Sequence, residues 1–309
     1  MAHCDGPSSW WVPLVAVAAT GALLGSGCIG DPPDARPAPS AKGAAPRPVR
    51  PPSAVPELTV PPLGPGEHIA IDGVLDEAAW SKAVDTGAFV NVGTGQPAPE
   101  LPVSAHAKLL WDGGGLYVGY EVRDANVRGG WPAGATDAHL WEKDTVELMI
   151  DPDGDGDNKD YYEIQVNPQN LCFDSQFDDY NAPKGGPSGP FGHQEWSAAL
   201  ESAVRVHGTL DDPSDQDQGY TVELRLPWSS LTKARRAPPS PGDSWRMNLY
   251  AMKDNGGVAW SPVLGQGNFH RASRFGRVHF GGPAPGAAAS ASAAPAPCAT
   301  ASKAAAAGG

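Results

Sequence analysis

The chain has 309 residues, 38 of them glycine and 33 proline, and a formal net charge of −13. Such acidity excludes nucleic-acid binding, which depends on Lys and Arg neutralising phosphates. Of its four cysteines only Cys172 lies in the body of the chain, so no disulfide framework within that body can hold a fold together.

An apolar run at residues 12–24 leads into Gly25-Ser26-Gly27 and Cys28. Small residues before a cysteine resemble a bacterial lipobox, which makes residues 1–28 a signal peptide and Cys28 the lipidated first residue of the mature chain. Leu24 sits one place further from the cysteine than is usual, and no Lys or Arg precedes the run. An ordinary cleaved signal or an uncleaved anchor is the alternative, although the run is short for a membrane span. Residues 29–65 are rich in Pro and Ala, and residues 282–309 are mostly Ala, Ser, Pro and Gly. Neither stretch can bury enough apolar surface to offset the entropy of ordering, so both read as disordered. The first would be a spacer holding residues 66–281, one domain by size, off a membrane. The expected location is the cell envelope, with a lipid anchor in the outer membrane and the domain facing periplasm or exterior.

Within the domain, short alternating runs are separated by Gly, Pro, Asp and Asn. They predict strands at 69–71, 105–111, 116–123, 145–150, 161–167, 196–207, 220–226, 245–253 and 277–280, and only 76–83 as helical, capped by Asp76 and burying Trp80. Many strands without helices between them make an all-β antiparallel β-sandwich, jelly-roll or immunoglobulin-like. The Gly-rich turn after Trp111-Asp112 joins two strands and lacks Lys, so it is a hairpin and not a phosphate loop.

In 145–150 a period of two sends Val146, Leu148 and Ile150 to the core and Thr145, Glu147 and Met149 to the other face, with Trp141 in phase with Glu147. In 161–167 it sends Tyr162, Ile164 and Val166 inward and Glu163, Gln165 and Asn167 outward. As antiparallel neighbours the two strands bring Glu147 near Gln165, and an aromatic plane beside polar acceptors suits a sugar ring. The loop between them spaces Asp151, Asp153, Asp155 and Asp157 at alternate positions around glycine, as the start of an EF-hand loop does, though no Glu follows at the twelfth position. Calcium is the matching cation. A second acidic loop at 211–217 reads as solvated, Cys172 reads as a small buried side chain, and the polar and aromatic loop with Asn268, Phe269 and His270 lies where binding residues tend to sit.

The ordered set Ile71-Asp72-Gly73 to Trp80, Leu110-Trp111-Asp112 to Val118, Trp141-Glu142-Lys143-Asp144-Thr145-Val146-Glu147, Tyr161-Tyr162-Glu163 to Asn167, Tyr220 to Trp228 and Asn268-Phe269-His270 to Gly276 resembles the family 9 carbohydrate-binding modules and their family 9-like group. The resemblance implies a calcium-stabilised sandwich gripping sugar termini between two aromatic side chains, here Trp141 and Phe269, with Glu147 as ligand carboxylate. This chain departs from it by Phe269 in place of a second Trp and Gln165 in place of an Arg. The expected function is a tethered, non-catalytic module that binds a poly- or oligosaccharide and supports polysaccharide capture or breakdown. The alternatives are a glycan-active hydrolase, for which Glu147 with Glu163 is the conceivable pair, and a haem-binding sandwich using Met149 or His270. A partner-binding domain is the third; oligomeric state is not legible.

Overall fold

The computed structural model describes residues 54–180 and 190–282. Cys28, the signal segment and most of the proposed linker and tail lie outside the described residues. Among the described residues no helix is long and apolar enough to cross a membrane.

Two sheets face each other, as expected for a β-sandwich. The first runs β1 (Glu57–Val60), β13 (Gly276–Phe280), β11 (Ser244–Lys253), β6 (Thr145–Asp151), β7 (Lys159–Val166) and β8 (Cys172–Asp179), with β12 (Gly256–Ala259) on β11 and β3 (Val90–Asn91) on β12. The second runs β2 (Val84–Asp85), β4 (Val103–Trp111), β5 (Gly115–Asp124), β10 (Gly219–Pro227) and β9 (Glu201–His207). Pairing is antiparallel except for β1 on β13.

Alternation in sequence becomes two-layer packing. Ala107, Leu109 and Trp111 of β4 and Val118 and Tyr120 of β5 meet Val146, Leu148, Ile164 and Leu249 of the first sheet in one core. Asp112 closes the predicted hairpin, its Oδ1 accepting the N–H groups of Gly114 and Gly115 at 2.7 and 2.8 Å. Cys172 is buried as expected. It is also disulfide-bonded.

Four expectations need correction. Residues 57–60, read as spacer, form β1 with Val60 fully buried, so the folded unit begins before residue 66. Residues 69–71 are not a strand. The helical turn is a 3₁₀ segment, Ala78–Lys82, flanked by Glu77 and without a side-chain cap, and Asp76 plays no capping part. Trp80 is buried as expected, because Glu223 of β10 accepts its indole N–H at 2.8 Å together with the N–H groups of Asp72 and Gly73. The loop at 211–217 is not merely solvated: Asp217 accepts the N–H groups of Val127 and Thr209, and Asp211 those of Gly129 and Gly130.

Candidate functional site

β6 and β7 pair with Glu147 opposite Gln165 and Met149 opposite Glu163. Their inward residues fill the core, which leaves Glu147, Glu163 and Gln165 on the outer face of the first sheet. That face is covered rather than solvated: the three side chains belong to residues only 2, 4 and 1% exposed. The cover consists of a 3₁₀ turn (Leu140–Glu142) carrying Trp141, of Pro190 and Phe191, and of the loop Asn268-Phe269-His270. With Phe177 and Tyr180 these enclose a cavity of about 220 Å³. All six residues expected to bind sugar, namely Trp141, Glu147, Gln165, Asn268, Phe269 and His270, line it.

Trp141 arrives by another route than expected. It lies in the turn before β6, not on the strand, so its phase with Glu147 along a strand has no meaning. Its ring stacks on His139 (centroids 4.4 Å apart, 18° between planes) and meets Phe173 edge-on at 5.4 Å, remaining half-exposed. Phe269 leans on Tyr250, whose hydroxyl donates to the Phe269 carbonyl at 2.9 Å. Asn268 donates its amide to the Tyr180 hydroxyl, and Tyr180 stacks on His270 at 4.4 Å and 5°. These contacts make the wall a set of rings held in fixed orientation.

The floor is polar. Gln165 Nε2 donates to Glu163 at 2.7 Å and faces Glu147 at 3.3 Å. Glu147 Oε1 and Gln165 Oε1 are buried without a hydrogen-bond partner. Burial pushes the Glu147 carboxyl well above its ordinary range, and the neighbouring Glu163 adds to the push. Burial raises Glu163 to about 7 against the hydrogen bond from Gln165. His270, enclosed by rings, is pushed down by burial and stays neutral, so its 3.5 Å approach to Glu163 is not an ion pair.

Linkage fixes the sign of a pH effect. Below the ordinary value of 4.5 Glu163 is protonated in folded and unfolded chains alike; between there and about 7 only the folded chain holds the proton. Stability is therefore expected to fall as pH rises through that window. Melting temperature recorded from pH 4.5 to 7.5 should decline more steeply in the wild type than in Glu163→Gln, and equal slopes would show that the carboxyl titrates normally.

A larger cavity, about 440 Å³, lies on the second sheet by Ser104, His106, Glu121 and Arg123. His106 there is already engaged by Asp85 and Glu121, at 3.0 and 3.6 Å. Among its described lining residues Tyr220 is the one Phe, Tyr or Trp, whereas the smaller cavity has five, so chemistry favours the smaller cavity.

In the acidic loop, carboxylate oxygens of Asp151, Asp153 and Asp155 lie within 4.8 Å of one another. Asp157 is not among them; it accepts the Lys159 N–H at 2.9 Å and sits 3.6 Å from the Lys159 ammonium. Hard oxygen donors converging on one point fit calcium, and burial together with Asp153 raises Asp151 to about 7.

The family model described as carbohydrate family 9 binding domain-like matches residues 71–282. The chain belongs to this family. Exoglucanase XynX of Acetivibrio thermocellus is 24% identical over 208 residues, 64% of this chain but 16% of that protein. The chain thus spans a small part of the curated relative. Among solved structures, a putative carbohydrate-binding protein from Bacteroides uniformis has a TM-score of 0.54 at 17% identity, covering 74% of this chain and all of that one. A family 9 carbohydrate binding module from Caldicellulosiruptor kristjanssonii in complex with cellotriose has a TM-score of 0.49 at 18% identity, covering 74% and 95%.

In this family 9-like domain, sequence reasoning overlooked Phe177, Tyr180 and Phe191. Phe191 follows a stretch of Gly and Pro, where an isolated aromatic is the only signal. Two residues weighed for haem serve otherwise. Met149 packs among Tyr250, Met252 and Phe275, and the Nδ1 of His270 lies 2.7 Å from the Tyr161 hydroxyl.

Proposed function

We propose that this chain is a non-catalytic carbohydrate-binding module that receives a sugar ring in the cavity shared by Trp141 and Phe269. The observation that carries the reading is the meeting of those aromatic faces with two buried, unpartnered acceptors, Glu147 Oε1 and Gln165 Oε1. At about 220 Å³ the space is small beside the roughly 300–1,000 Å³ of ordinary ligand pockets, which suits one ring. Hydrolysis needs one carboxyl held protonated and another held ionised. Here Glu147 and Glu163 share one amide donor and burial pushes both in the same direction.

Tethering to the envelope through lipidated Cys28 belongs to the same proposal, as does a role in polysaccharide capture or breakdown. So does calcium, held by Asp151, Asp153 and Asp155. Its loop reaches the sugar site through Asn158, which donates to the His270 carbonyl at 2.9 Å and accepts the Ala272 N–H at 2.6 Å. Arg246 makes a second link, from the Gly154 carbonyl at 3.0 Å to the Ser273 carbonyl at 3.3 Å. An ion in the loop would therefore order one wall of the cavity.

The test is a glycan array on the intact protein with and without chelator. Binding to at least one saccharide is expected, weaker after chelation, with a melting temperature that calcium raises by the equivalent of about 2.7 kcal/mol at one hundredfold above its Kd. If no saccharide is retained under either condition, the sugar reading fails. If calcium leaves melting and binding unmoved, the metal site fails alone.

A further inference from the structure

Three of the side chains lining this cavity, Glu147, Glu163 and Gln165, bring acceptor oxygens to its floor. Gln165 directs its amide nitrogen at Glu163 and Glu147, so what remains unpartnered is its Oε1. Glu147 leaves Oε1 buried and unpartnered, and Glu163 adds a second carboxylate. The Asn268 amide is engaged by Tyr180, and one ring nitrogen of His270 faces Tyr161. No Lys or Arg is found among the described lining residues.

A hydroxyl entering such a wall has one hydrogen to donate, so it can satisfy only one of these acceptor groups. An ammonium has three donors and no lone pair. It also neutralises carboxylates that burial otherwise keeps from ionising, and it is attracted by the π faces of Trp141, Phe191 and Phe269.

We infer that the sugar taken by this site carries a free, protonated amine, as a hexosamine does, with its ammonium lying among Glu147 Oε1, Gln165 Oε1 and the Glu163 carboxylate. The inference rests on the sugar-binding reading and narrows it. An N-acetylated ring is disfavoured, since its amide offers one N–H and sets a carbonyl against acceptors.

Titration calorimetry on the intact protein with glucosamine oligomers, N-acetylglucosamine oligomers and cello-oligomers of equal length, at pH 6, tests this. The free-amine oligomer should bind at least about tenfold more tightly, or ~1.4 kcal/mol, with an advantage that shrinks as salt is added. Glu147→Gln, close in shape but uncharged, should remove the preference, and Gln165→Arg, which sets a cation on the floor, should reverse it. Circular dichroism checks folding, and Glu163→Gln replaces Glu147→Gln if the latter does not fold. Equal or tighter binding of the neutral or N-acetylated oligomer overturns the amine assignment and leaves the sugar reading standing. Binding of no oligomer removes both, and methylammonium bound as tightly as the amino sugar overturns the hexosamine assignment.

Discussion

Replacing Lys253 with methionine is expected to destabilise the domain by about 3–5 kcal/mol, the range for removing one partner of a buried ion pair. The Lys253 side chain is 8% exposed and its ammonium lies 2.6 Å from Asp124 and 3.0 Å from Asp144, whose side chains are 2 and 1% exposed. It also donates to the Asn126 carbonyl at 2.8 Å. Removing it leaves two buried carboxylates, with Arg128 the remaining cation among the described residues, 3.5 Å from Asp144. Burial already raises Asp144 to about 6 with the lysine in place. For a domain of this size each kcal/mol is worth about 2–4 °C in melting temperature. Urea unfolding measures the loss directly. Adding Asp144→Asn should return part of the stability, because the second change removes the charge that the first left stranded. A loss below about 1 kcal/mol would mean that water reaches the cluster. The cluster also bears on the site: two residues past Lys253, the Asn255 N–H donates to the Trp141 carbonyl at 3.0 Å. Loosening this end of β11 frees the turn that carries the indole.

None of that cluster is visible along the chain, since Asp124, Asp144 and Lys253 come from separate elements and each reads alone as an ordinary charged residue. What could be read was whatever depends on local alternation. β6 and β7 alternate cleanly and are joined by one short loop, so the meeting of Glu147 with Gln165 followed from parity. β8 was hidden because its core-facing residues include polar ones. Asp174 is buried to accept the Ala198 N–H at 2.6 Å, and on the other face Ser175 donates to the Phe191 carbonyl at 2.5 Å. Phe177 was lost with that strand. β1 was hidden for a different reason: its partner β13 lies at the far end of the chain, and only Leu58 and Val60 interrupt its polar, proline-flanked surroundings. Nothing within the predicted strand 220–226 marked Glu223, yet it organises the Asp72-Gly73 turn and Trp80. The burial of the site face was not legible either, because the loops that cover β6 and β7 have no periodicity to announce where they land.

Truncating the indole in Trp141→Ala is expected to cost about 2–3 kcal/mol of saccharide affinity, the loss typical of a central aromatic anchor, or roughly 30–150-fold in Kd. The ring is already stacked on His139 and meets Phe173 in a T-shaped contact, so the indole is oriented before any ligand arrives. A ring fixed in this way gives up little conformational entropy on binding, and most of its contact energy reaches the complex. Phe269→Ala should cost less, about 1 kcal/mol, since a smaller ring is lost. Trp141→Phe should recover part of the affinity by restoring a stacking face, whereas Trp141→Leu, apolar but not flat, should recover little. His139→Ala separates orientation from contact, weakening binding while leaving the indole in place. Calorimetry well below the melting point keeps binding apart from stability, because Trp141 also covers Phe173. A folded Trp141→Ala protein that binds within twofold of the wild type would take the indole out of the site, and the cavity would lose the broad aromatic face on which its sugar assignment rests.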